Sequence, residues 1–407
     1  MRIVEINMMH DGSTGKIMFG IAKAASSFGH EVYTFSPYYY RRHQKVEMPA
    51  IPNHIYFGSL METKMHYALA ECTGLHGFGS FIGTADLLKK ISKLKPDIIH
   101  LHNLHNYTIN IPSLFSYIRK EKICTVWTLH DCWAMTGKCP HFQFPACDKW
   151  KTGCYECPAL REYPKAYIDR VDFLWEHKRR WFSGHENLTI VTPSKWLAGI
   201  VGESYLSSYP IKVINNGIDL NVFHPIESDL TQYGILKTKY NILGVAYQWD
   251  QKKGLDVFIR LSQCLPEKYQ IILVGTTDNI DKILPDNIIS IHRTHDQKEL
   301  AEIYSAANVF VNPTREDTFP TVNIEALACG IPVITFDSGG SPEIIDPSCG
   351  YVVKQDGFSE LQKKIIEVCE KRVFSKETCI ARAHIYKAED KYTEYVQLYQ
   401  SVFRQRL

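Results

Sequence analysis

Two acids, Asp317 and Glu325, stand with seven residues between them, and the lysine pair Lys252 and Lys253 precedes Gly254. Carboxylates accept paired hydroxyl donors well, and an ammonium brings a point charge with three donors, which suits a diphosphate. Either lysine of the pair, Lys252 or Lys253, brings such a charge. The segment Gly12-Ser13-Thr14-Gly15-Lys16 follows an apolar run and opens a helical stretch. Glycine there lets backbone approach a ligand, and a helix N-terminus favours an anion. The spacing is not the dinucleotide G-x-G-x-x-G, which disfavours a nicotinamide or flavin enzyme. His130 closes the apolar run 126–129, with Asp131 beside it.

A different chemistry is offered by Cys139, Cys147, Cys154 and Cys157 in the loop 132–158, with Cys132 and His141 close by. Four soft ligands point to a structural tetrahedral zinc site that staples the loop, and four thiolates leave no open position for catalysis. Only the last two form a C-x-x-C pair, so ordinary buried thiols are the alternative reading. No cofactor is expected for catalysis itself.

The elements that must position these groups follow from pattern. A length of 407 residues implies two domains, and 45% hydrophobic with 12% aromatic residues can fill two cores. A formal charge of +2 disfavours a nucleic-acid partner. Apolar runs are strand-length, far below the ~20 residues of a membrane span. The N-terminus lacks a signal-peptide profile, so the expectation is a cytoplasmic chain with reduced thiols. Short apolar runs alternate with amphipathic stretches along the whole chain, which argues for α/β architecture with parallel sheets covered by helices. Strands are expected at 3–7, within 29–35, at 97–102, 123–129 and 188–192, and again at 242–246, 271–275, 288–291, 309–312 and 332–336. The turn-rich 215–219 reads as a linker. Ligands of such sheets bind beyond the carboxyl ends of the strands, which makes a cleft between two such domains the expected substrate site.

Four segments carry a resemblance that spans essentially the whole chain: 192–197 (TPSKWL), 213–219 (VINNGID), 315–334 (REDTFPTVNIEALACGIPVI) and 338–345 (SGGSPEII). In this order they resemble glycosyltransferase family 4, and the His130-Asp131-Cys132-Trp133 region with its cysteines is most similar to transferases of the colanic-acid type exopolysaccharide pathway. The resemblance implies a GT-B fold: two Rossmann-like parallel-sheet domains facing across a cleft, with a C-terminal helix crossing back to the N-terminal domain. The implied boundaries are 1–218 for the acceptor-binding domain, 219–387 for the donor domain and 388–407 for the returning helix. The implied activity is a retaining, metal-independent hexosyl transfer from a UDP or GDP sugar to a glycan or lipid-linked acceptor in bacterial surface polysaccharide synthesis.

The family's pattern also implies roles. Lys253 falls at its diphosphate-binding lysine and Glu325 at the acid that holds the ribose hydroxyls, with Asp317 or Glu316 on the donor sugar. The amides of Phe319, Pro320 and Thr321 precede a helix and face phosphate or sugar, although proline has no amide hydrogen and replaces the usual glycine. Tyr247 stands where the family has an arginine, and tyrosine brings no positive charge at neutral pH. Arg293 is a candidate substitute or a plain surface residue. His130 orients the sugar, Asp131 is the alternative base, and the loop at Gly15 closes over the donor. Gly339 and Gly340 mark either a close approach to the sugar or a tight turn. The mixed aromatic and basic runs 38–43 and 178–182 suit peripheral contact with the inner face of a membrane. The competing readings are a GT-B-like sugar-nucleotide epimerase and a catalytically weak binding subunit.

Overall fold

The computed structural model describes residues 1–38 and 51–405. The chain forms two compact units, Met1–Asn215 together with Glu389–Leu407, and Asn216–Ala388. The turn-rich 215–219 thus carries the boundary.

In the first unit the described strands are β1 (Arg2–Ile6), β2 (Glu31–Pro37), β3 (His54–Phe57), β4 (Ile98–Leu101), β5 (Cys124–Thr128), β6 (Leu188–Thr192) and β7 (Ile211–Val213). They pair in the order β3-β2-β1-β4-β5-β6-β7, all parallel. Every residue of β4, β5 and β6 is buried, as strands covered on both faces require. Side chains alternate between faces: Val4, Ile6, Ile99, Leu101 and Trp127 enter one core, while Ile3, Ile98, Cys124 and Val126 enter the other. The helix Ala388–Arg404 covers this second face with Tyr395, Val396 and Tyr399. Within this unit, then, the last helix packs on the sheet begun by the first residues.

The second unit holds β8 (Tyr240–Val245), β9 (Tyr269–Val274), β10 (Ile288–Ile291), β11 (Val309–Asn312), β12 (Val333–Phe336) and β13 (Gly350–Val353), paired in parallel as β10-β9-β8-β11-β12-β13. Two cores again lie on its two faces. In both sheets the strand order reverses beside the first strand, between β1 and β4 and between β8 and β11. Loops that leave a parallel sheet at such a point diverge to opposite faces, which opens a crevice at the carboxyl ends.

Candidate functional site

The crevice of the second unit is built by the loops after β8 and β11, which carry the lysine pair and the acid motif. Lys253 Nζ lies 2.9 Å from Asp317 Oδ2, 3.3 Å from the Glu316 carbonyl and 3.5 Å from Thr314 Oγ1. Lys252 Nζ lies 3.4 Å from the buried Glu316 carboxylate. Two ammonium groups and two carboxylates therefore gather at one switch point, with the Lys253 pair part-exposed and able to exchange partners. Asp317 accepts the Phe319 amide at 3.2 Å on Oδ1, which turns the chain into the helix Thr321–Ala328. Pro320 begins that helix without a capping side chain, Phe319 is buried and Thr321 is half-buried.

Two residues not singled out from sequence hold this arrangement. Arg315 donates in a fork to Asp256, 2.8 Å to each oxygen, and also to Asp356 at 2.8 Å and to the Gln251 carbonyl. This bidentate pairing rivets the first turn of the helix Leu255–Cys264 to the acid loop, and the guanidinium is held above its ordinary range, chiefly by Asp256. The buried Tyr304 hydroxyl donates to Glu325 Oε2 at 3.1 Å, fixing one oxygen of an acid that sits a little over one turn into its helix. Gly339, at φ +57°, and Gly340 close on the same loop: the Gly340 amide donates to the Asp317 carbonyl at 3.1 Å. Tyr247 is 83% exposed. Arg293 is exposed just after the edge strand β10, two strands from β8, and does not join the lysine–acid cluster.

The first unit gathers a second set at the ends of β1, β4 and β5. Register places Glu5 beside His100. His102 links Glu5 to His130, with Nε2 3.4 Å from Glu5 Oε2 and Nδ1 3.1 Å from His130 Nε2. The His102 and His130 rings are stacked. His100 is hydrogen-bonded by Tyr399 at 2.6 Å and Thr128 at 2.7 Å. Burial pushes Glu5 well above the usual carboxylate range, against the pull of the Tyr399 hydroxyl. Burial likewise pushes His100 and His102 well below the usual imidazole range. The proton therefore rests on the Glu5 carboxyl, which donates to His102. His102 Nδ1 and His130 Nε2 share the next hydrogen bond, whose direction follows their tautomers.

His130 is half-buried and lowered to about 4 by burial, against the nearby Asp131 charge, so it is neutral at pH 7. Asp131 behaves oppositely. Burial alone would raise it, but His105 at 2.9 Å and the Trp133 amide at 2.8 Å bring it down to about 2. A neutral imidazole and an ionised carboxylate thus stand side by side, both competent to hold hydroxyls. The lone acid in the apolar run Arg2–Ile6 was the available sequence signal for this network.

Gly15 lies in the first turn of the helix Gly12–Ser27, where a Cβ would meet the His10 carbonyl group at 2.6 Å; its bare face serves the packing of residues 9–10. The four cysteines line one cavity, with the Cys139 and Cys157 Sγ atoms 4.0 Å apart. In the basic run 178–182 Arg179 and Arg180 are exposed, while Lys178 and Phe182 turn inward. Lys178 and Phe182 are buried because the lysine donates to the Trp133 and Thr136 carbonyls and the ring enters the core. In the run 38–43, residues 39–43 lie outside the described residues. Among the described residues no helix is long and apolar enough to cross a membrane.

Comparison with known proteins accords with this geometry. The profile for Glycosyltransferase Family 4 matches residues 15–222, just over half of the chain, and that for Glycosyl transferases group 1 matches 239–371. The Escherichia coli (strain K12) protein WcaC, named as a colanic acid biosynthesis glycosyl transferase, is 28% identical over 80% of this chain and 81% of its own. A Klebsiella pneumoniae protein of a cps region is 25% identical over 77% and 82%. The solved structures of Thermosynechococcus elongatus sucrose-phosphate synthase (TM-score 0.73, 17% identity, 99% of both chains) and of Anabaena HepE with UDP-glucose (TM-score 0.67, 13% identity, 98% of this chain and 99% of that one) share the fold. Two Rossmann-like parallel sheets of this order make the GT-B fold, and the family matches make the chain a glycosyltransferase. The chain belongs to glycosyltransferase family 4.

Proposed function

We propose that this chain transfers a hexose with retention from a UDP or GDP sugar to a glycan or lipid-linked acceptor of a bacterial surface polysaccharide, without a catalytic metal. The observation that carries the reading is the Lys253–Asp317 contact of 2.9 Å at the β8/β11 switch point, beside the Lys252–Glu316 pair. Departure of a nucleoside diphosphate builds negative charge on the phosphate. Lys253 exchanges Asp317 for a phosphate oxygen and meets that charge, aided by the start of the helix Thr321–Ala328. Asp317, so released, holds a donor-sugar hydroxyl, while Glu325, oriented by Tyr304, accepts the ribose hydroxyls. His130 orients the sugar, with the ionised Asp131 as the alternative group. As the anomeric carbon–oxygen bond to phosphate breaks and the bond to the acceptor oxygen forms on the same face, the acceptor proton passes to the departing phosphate. The relatives named for colanic acid synthesis and from a cps region favour a surface-polysaccharide acceptor, and UDP-glucose in HepE favours a nucleotide-sugar donor.

The test is a panel of sugar nucleotides screened for thermal stabilisation, followed by nucleotide release with and without acceptor glycan. Stabilisation by one donor with acceptor-dependent release is expected. Acceptor-independent release with sugar isomerisation would assign an epimerase instead, and stabilisation without any release a binding subunit.

A further inference from the structure

The loop after β5 carries a problem of charge that the transfer chemistry does not use. Lys138 and Lys178 are both 1% exposed. Lys138 spends its donors on the carbonyls of Ala159, Glu162 and Pro164, at 2.8, 3.0 and 2.9 Å. Lys178 donates to the Thr136 carbonyl at 2.9 Å and to Trp133, whose ring centroid lies 3.6 Å from Nζ. Among the described residues neither ammonium has a carboxylate within ion-pair distance. Burying such charges costs several kcal/mol each unless an opposite charge is close.

What lies closest is sulfur, ahead of the more distant Asp131 for Lys178 and Glu162 and Asp169 for Lys138. Cys139, Cys147, Cys154 and Cys157 line a single cavity of about 20 Å³, room for one water-sized body. Lys138 acts electrostatically on Cys139 and Cys157, and Lys178 on Cys154. The Gly137 amide donates to Cys154 Sγ at 3.1 Å, the kind of contact that steadies a metal-bound thiolate. Tetrahedral zinc with bonds of about 2.3 Å sets neighbouring sulfurs about 3.8 Å apart. The Cys139–Cys157 separation is 4.0 Å. Groups of three or more metal-ligating atoms within 4.8 Å of one another, among the described residues, are Glu5–His100–His102 and Asp278–Asp281–His292. The thiols are more widely spread, so the set closes only as the loop draws in around the ion.

We propose that Cys139, Cys147, Cys154 and Cys157 bind one structural zinc ion, and that the net double negative charge of the four-thiolate centre is balanced by the buried Lys138 and Lys178. The pairing explains why two buried lysines, Lys138 in the loop and Lys178 on the helix Val171–Phe182, are tolerated here, and the centre ties 139 to 157 just beyond Asp131. The inference does not depend on the sugar donor or on the transfer reaction.

Metal analysis of the wild-type chain, purified without chelator, is expected to give one zinc per chain. Zinc is expected to be lost from Cys154→Ala and Cys157→Ala and kept in Cys264→Ala, whose thiol is exposed outside the cluster. Because a cysteine variant can fail to fold, the wild-type chain is also stripped by chelator and titrated with cobalt(II), where the visible absorption of tetrahedral thiolate-bound cobalt is expected. A wild-type chain that purifies without zinc and gives no such cobalt spectrum overturns the proposal. A Cys139–Cys157 disulfide in the native chain overturns it equally.

Discussion

Replacing Gly339 by alanine perturbs the donor-side loop without touching a charged group. A Cβ built there stands 1.8 Å from the Asp317 carbonyl oxygen, and real Cβ contacts essentially never fall under 3.0 Å. The turn or the Asp317 backbone must therefore move by about 1.2 Å, the difference between those distances. Asp317 cannot stay behind, since the Gly340 amide holds the same carbonyl at 3.1 Å, and its side chain is drawn off Lys253. A misplacement of about 1 Å costs on the order of 100-fold in rate. The left-handed φ of +57° adds about 1–2 kcal/mol for a residue with a Cβ. Gly184→Ala is the control, because its φ is +75° but nothing lies within 4 Å of the new methyl. The assay is kcat and KM for sugar transfer alongside a thermal melt. Both variants should lose stability, and only Gly339→Ala should lose about two orders of magnitude in kcat. A folded Gly339→Ala enzyme turning over at the wild-type rate refutes the reasoning.

Two further outcomes follow from the buried groups of the first unit. Burial holds His54, His66 and His130 at about 4 and His76 at about 3, and His100 and His102 well below the ordinary value. Between about pH 6.5 and pH 4 the unfolded chain takes up protons that these folded imidazoles refuse, so stability falls as pH falls. Glu5, raised by burial, works in the opposite direction but is one group against six. The melting temperature should drop between about pH 7 and pH 5, and a flat or rising profile contradicts the assignment. Glu5→Gln should leave stability and the pH profile of transfer almost unchanged, because its amide donates to His102 as the neutral carboxyl does. Glu5→Leu should lower both stability and rate. Loss of stability in Glu5→Gln as large as in Glu5→Leu would mean a charged Glu5.

Much of the architecture was legible because buried parallel strands announce themselves as unbroken apolar runs. Cys124–Thr128 and Val309–Asn312 are examples. The short edge strand His54–Phe57 and the helix Leu60–Thr73 escaped notice: the strand is mostly half-buried, and the helix buries only His66 and Ala70 among its own residues. Spacing along the chain brought Asp317 and Glu325 to attention, but not the contacts that orient them. Arg315 and Tyr304 act through partners 59 and 21 residues away in sequence, and strand register alone sets Glu5 against His100. Lys178 was misread for the same reason, since a basic run on a helix says nothing of which side chain turns inward.

The central claim is that the lysine–acid cluster of the second unit grips a nucleoside diphosphate. Calorimetric titration of UDP and GDP into the wild-type chain, Lys253→Ala and Glu325→Ala tests it most directly. A lost charge-assisted contact of about 1.5–3 kcal/mol should weaken binding of the preferred nucleotide roughly 10- to 150-fold in each variant. Affinity unchanged in both folded variants would contradict the account.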